Sequence, residues 1–117
     1  MMKTLMMTAA SAALLVMSGV ASADDALALA QKNACMSCHS VDKKVVGPAY
    51  KAVAERYKGK PEARAALVET VKKGGKGNWT AISHEVPMPP HGRRLSAADI
   101  SRLVDWVLSL KDDNVPQ

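Results

Sequence analysis

Residues 33–40 read Asn-Ala-Cys-Met-Ser-Cys-His-Ser, "NACMSCHS". Cys35 and Cys38 stand three apart, and His39 follows the second thiol at once. Three chemistries use such a pattern. It serves as a redox dithiol on a helix that follows a strand, as half of a four-ligand zinc site, or as the attachment site of a c-type haem. The rest of the chain decides among them.

A dithiol of the thioredoxin kind needs a strand before its helix, within a βαβ unit. No segment of this chain alternates apolar and polar residues as a strand does. A structural zinc site needs two further ligands at close spacing. His84 and His91 lie seven apart in a Gly/Pro-rich stretch, and there is no second Cys pair. A disulfide between Cys35 and Cys38 would close too short a loop to stabilise a fold much. Haem attachment remains the best match. Two thiols at this spacing reach two vinyl groups of one porphyrin, and the next residue carries an imidazole to the iron.

The N-terminus supports this reading. "MMKTLMMTAASAALLVMSGVASA" has Lys3 near its start and no further charge before Asp24. It ends in Ala21-Ser22-Ala23, the small-residue pattern of a secretory cleavage site. The apolar run is diluted by Thr, Ser, Gly and Ala, which suits a cleaved signal better than a retained anchor. The expected division is therefore a signal peptide, 1–23, and one domain, 24–117. Removing 23 of the 117 residues takes Lys3 with it, so the net charge falls from +5 to +4. That mild basicity favours acidic partners. Dense basic blocks with interleaved aromatics are absent, which argues against nucleic acid. The chain has no Phe, two Trp and two Tyr, so a bound cofactor would supply much of its core.

The mature part reads as all-α, with three to five helices. "DDALALAQKNA" starts on two carboxylates, which suit a helix N-terminus, and Leu27, Ala30 and Ala34 share a face. Gly47-Pro48 marks a turn. "AYKAVAERYKG" is helical, with Gly59 at its end. "PEARAALVETVKKGG" starts on Pro61 and closes on Gly74-Gly75, with Leu67, Val68 and Val71 as its stripe. From Gly74 to Leu95 no periodicity is visible. Ser96 and Asp99 then cap a last helix carrying Ile100, Leu103, Val104, Val107 and Leu110 at helical spacing.

Iron beneath His39 calls for a sixth ligand. Five of seven methionines leave with the signal, and Met36 and Met88 remain. Met36 sits inside the attachment loop. Met88 lies far along in "VPMPP", where Pro87, Pro89 and Pro90 fix backbone angles around a soft thioether. His84 and His91 are its rivals. His/Met ligation raises the potential and fills both axial positions, which makes an electron carrier rather than an enzyme. A labile sixth ligand would instead give a ligand-binding or peroxide-reducing haem protein.

"CMSCH", "VGPAY", "GNW", "VPMPP" and "LVDWVLSL", in this order, closely resemble the small bacterial class I cytochromes c of the cytochrome c-551 type. The resemblance implies one haem c held by Cys35 and Cys38, with His39 and Met88 as axial ligands. It implies that the Pro48 carbonyl meets the His39 ring, that Trp79 meets a haem propionate, and that Trp106 packs across the first helix. It implies a monomeric periplasmic shuttle between larger redox proteins with acidic docking patches. The chain departs from the pattern in three places. The Trp79–Met88 segment is longer, His91 stands where an Asn is common, and Ala30 lies near a position often held by Phe. Lys32, Lys43, Lys44, Lys51, Lys58 and Lys76 are candidates to ring the haem edge, and Arg93 and Arg94 to pair with a propionate.

Overall fold

The structure is a computed structural model that describes residues 23–84 and 86–111. The segment expected to be a signal peptide, 1–23, lies outside the described residues except for Ala23. The described chain is helical: α1 (Ala23–Lys32), a 3-10 turn (Cys35–Ser37), α2 (Tyr50–Arg56), α3 (Ala63–Lys73), α4 (Thr80–Ser83) and α5 (Ala97–Ser109). Among the described residues the only β-type pairings are two isolated bridges, His39 with Lys44 and Gly75 with Met88.

α5 organises the fold, because α1, α2 and α3 all pack on it. Its apolar residues recur at helical spacing, so Ile100, Leu103, Val104 and Trp106 are buried together. Ser96 starts it: the Ser96 Oγ accepts from the Asp99 N–H at 3.1 Å. The Asp99 carboxylate does not complete a reciprocal box but pairs with Arg102 at 3.6 Å. α1 buries Ala26 and Ala30, with Leu27 partly buried against the same core, so of the expected Leu27–Ala30–Ala34 face only Ala34 falls outside. Ala34 lies beyond the helix in a left-handed conformation (φ 60°) and is exposed. The small side chains have a physical consequence: Ala30 is wholly buried, so α1 approaches α5 closely at Ile100, Leu103 and Trp106.

Two other boundaries differ from expectation. α3 begins at Ala63, with Pro61 in the preceding turn rather than in the first helical turn. The stretch read as structureless contains α4, a single turn too short to show a period. An exposed bidentate pair, Arg64 to Asp105 at 2.6 and 3.0 Å, ties α3 to α5.

Candidate functional site

The chain reversal after α1 builds the first flank of the site. Asn33 Nδ2 donates to the Leu29 carbonyl at 2.8 Å, and Ala34 then turns left-handed. The turn delivers Cys35, Cys38 and His39 on a 3-10 loop whose His39 N–H bonds Cys35 O at 3.0 Å. Gly47 N–H bonds Cys38 O at 2.7 Å, which brings Gly47-Pro48 back against the motif. The His39 Nδ1 lies 2.8 Å from the Pro48 carbonyl. A carbonyl only accepts, so Nδ1 carries the proton and Nε2 keeps its lone pair free for a metal. Gly47 is required there: a Cβ would sit 2.6 Å from His39 Cε1. Burial holds the His39 pKa below its usual value; the Pro48 contact opposes this, and charge on His91 adds to it. The ring is therefore neutral at neutral pH, as ligation requires.

Behind the motif, His39 stacks on Tyr50 with centroids 4.9 Å apart, and Tyr50 meets Trp106 edge-on at 5.6 Å. The Trp106 expected to cross the first helix is indeed in the cluster that holds Ala26 and Ala30. Cys35 and Cys38 are not joined to each other in a disulfide, and Cys35 is buried. Burial pushes the Cys35 thiol above its ordinary pKa, although the Tyr50 hydroxyl opposes this. A redox dithiol needs the reverse, a thiol made acidic. No three His, Cys, Asp or Glu side chains among the described residues converge on a metal position, which disfavours the zinc reading.

The second flank is the segment carrying Met88, strapped to the end of α3. Gly75 and Met88 exchange two backbone hydrogen bonds, each 2.9 Å. His91 N–H and Gly92 N–H donate to Val71 O and Lys72 O at 2.9 and 3.0 Å. These are carbonyls that a helix C-terminus leaves without intrahelical partners. Gly74 makes the close approach possible: a Cβ there would lie 2.4 Å from Met88 O.

Between the flanks lies a cavity of about 500 Å³. Its size suits a cofactor site, a class spanning about 300–1,000 Å³. Cys35, Cys38, His39, Pro48, Trp79 and Met88 all line it, so the six residues expected to face a haem meet there, whereas His84 is not among its lining. Much of the remaining wall is aliphatic, from Val46, Val53, Leu67, Val71, Leu103, Val104 and Val107. Two thiols, a neutral imidazole and a thioether around an apolar cavity fit a covalently tethered, iron-bearing macrocycle.

Trp79 lines the cavity and is half-buried, with the Arg56 guanidinium 4.4 Å from its ring centre, and Arg56 also donates to Asn78 O at 2.8 Å. The six lysines do not ring the cavity; of them only Lys76 lines it. Lys51 instead pairs with Asp42 at 2.6 Å. A second cation at the cavity is Arg94, which also lines a further cleft formed with Lys72, Lys73 and Arg93. Sequence reasoning missed Ser83. It also lines the cavity, and a lone serine in an aperiodic stretch carries no signal.

Comparison with known proteins agrees with this geometry. The cytochrome c family model matches residues 23–111. The chain is 51% identical to the cytochrome c-551 of Allochromatium vinosum over 84 residues, covering 72% of this chain and 84% of that one. It is 42% identical to the cytochrome c-552 of Nitrosomonas europaea over 110 residues, covering 94% of this chain and all of that one. The crystal structure of wild-type Nitrosomonas europaea cytochrome c552 superposes with a TM-score of 0.64 at 44% identity, over 73% of this chain and 99% of that one. A class 1 cytochrome from Sideroxydans lithotrophicus gives 0.61 at 38% identity, over 74% and 92%.

Proposed function

The chain belongs to the cytochrome c family, as a small bacterial class I member with one haem c, and from that premise we propose that it is a periplasmic electron shuttle with His39 and Met88 as its axial ligands. The cavity supports this reading, because Cys35, Cys38, His39 and Met88 all line it. When bound, the haem supplies a one-electron ferric/ferrous couple. Cys35 and Cys38 tether it through thioethers. His39 offers Nε2 while Pro48 holds its ring against rotation at Nδ1. Met88 offers a soft sulfur from a strap that the end of α3 keeps in place. The aliphatic walls exclude water, and a dry site lowers the reorganisation that electron transfer demands.

His39 and Met88 would both hold the iron and leave it no open position for a substrate, so a carrier is favoured over a catalyst. Docking partners are larger redox proteins with acidic faces. Lys76 and Arg94 at the cavity, with Lys72, Lys73 and Arg93 beside Arg94, supply the attraction. No helix among the described residues is long and apolar enough to cross a membrane. Export with cleavage after Ala23 delivers the domain 24–117 as a monomer.

Intact-mass measurement of the protein recovered from the periplasm tests the reading. The expected mass is that of residues 24–117 plus one haem. A mature chain lacking that added mass would overturn it. Rapid carbon monoxide binding to the reduced protein would overturn the carrier in favour of an open-site haem protein.

A further inference from the structure

Two stretches far apart in sequence bring four cations to one cleft. Lys72 and Lys73 end α3, and Arg93 and Arg94 follow the strap that carries Met88. All four residues are exposed. Backbone contacts force them together. His91 N–H and Gly92 N–H donate to Val71 O and Lys72 O, and a Cβ on Gly92 would lie 2.9 Å from Lys72 O. Glu69 answers one of the four, pairing with Lys73 at 2.9 Å. Among the described residues no ion pair engages Lys72, Arg93 or Arg94. Like charges held close repel one another. The cleft therefore works against the contact that seats the strap on α3, and a negative group touching both sides would reverse that.

The surroundings say what kind of group this is. Arg94 lines both the cleft and the haem cavity, so an occupant of the cleft lies beside the cofactor. Val46 and Val86, both exposed, line the same cavity. A free ion would leave that apolar rim in water, whereas a protein surface would cover it. We propose that the cleft takes carboxylates from an acidic segment of the electron-transfer partner, and that their binding clamps the strap onto α3 and tightens its hold on Met88. The proposal rests on the haem-carrier reading. It makes docking and the Met88 strap a linked pair: whatever binds the seated strap better than the detached one stabilises it, and the detached strap binds the partner more weakly by the same factor.

Imidazole titration of the ferric holoprotein, read by loss of its Met-to-ferric near-infrared band, measures the strap's hold. Hexaglutamate stands in for the acidic segment. Present at about nine times its dissociation constant, a ligand of the seated strap alone weakens imidazole binding about tenfold. A several-fold weakening towards that limit is expected, with amide NMR shifts centred on Lys72, Lys73, Gly92, Arg93 and Arg94. Unchanged imidazole affinity, or shifts centred elsewhere, would overturn the proposal. Inorganic phosphate at equal ionic strength should protect less; equal protection would replace the partner segment with a free-ion site. Arg93→Gln with Arg94→Gln should keep the band and lose the peptide's protection, while Lys58→Gln with Lys60→Gln, outside the cleft, should retain it. Equal loss in both variants would reduce the effect to net charge and overturn the clamp. A resting ferric protein without the band would sink Met88 ligation itself; a band that the peptide leaves unprotected would sink the clamp alone.

Discussion

Replacing Gly74 with alanine probes the strap that carries Met88. Gly74 has φ 72° and ψ −169°, a region open essentially to glycine alone. Holding another residue there costs about 1–3 kcal/mol before any contact is counted. The contacts are also prohibitive: the new Cβ would lie 2.4 Å from Met88 O and 2.8 Å from Pro90 N. Those atoms are backbone and have no rotamer to escape into. Relief must come from moving the strap, which breaks the paired Gly75–Met88 hydrogen bonds. For a domain of this size each kcal/mol is worth about 4–8 °C in Tm. Gly74→Ala should therefore melt at least about 4–8 °C below the parent. Its Met-to-ferric charge-transfer band in the near infrared should weaken or vanish. Haem attachment should persist, because Cys35, Cys38 and His39 sit on the other flank. The reasoning is refuted if the variant keeps both its melting temperature and the full band.

Ala30→Leu would force an isobutyl group into a position with no exposed surface at the α1–α5 crossing, and overpacking of this kind costs about 1–3 kcal/mol. A thermal melt unchanged from the parent would show that the crossing is looser than described. The Arg64 hydrogen bonds hold the Asp105 carboxyl below its usual pKa. Its stabilisation is present above the ordinary carboxylate range and lost as pH falls through the depressed folded value. Asp105→Asn should melt slightly lower than the parent at pH 7, with the gap closing below about pH 4 and in high salt. A gap constant with pH would remove the ion pair as its cause. Lys73→Gln with Arg93→Glu should weaken electroactive adsorption on a carboxylate-terminated monolayer at low salt. The loss should exceed that from Lys58→Glu with Lys60→Gln, which changes net charge equally outside the Arg94 cleft. Equal losses would reduce docking to net charge.

Chemistry written into short spacing was legible in the sequence. Cys35, Cys38 and His39 are adjacent in the chain, and Met88 is marked by three prolines, so the site could be named before its geometry was known. Pro48 and Trp106 were legible through family resemblance, and the 2.8 Å contact to His39 and the core position of Trp106 agree with it. The last helix was legible from its cap and its period. What stayed hidden depended on tertiary context. Leu27 packs partly buried against the core as its face suggested, but the most buried positions of α1 are Ala26 and Ala30. The lysines spread evenly along the sequence, and only the folded chain shows Lys76 alone of the six at the cavity. α4 and Ser83 gave no signal, because one helical turn has no period and one hydroxyl has no motif.

The central claim is that a single haem is held between His39 and Met88 and passes electrons one at a time. A redox titration of the oxidised, neutral-pH holoprotein, followed through the visible and near-infrared spectrum, tests it most directly. Expected is a reversible one-electron transition, with a Met-to-ferric charge-transfer band in the near infrared that disappears on reduction. A ferric spectrum without that band would contradict Met88 as the ligand and leave the iron to another group or open to solvent.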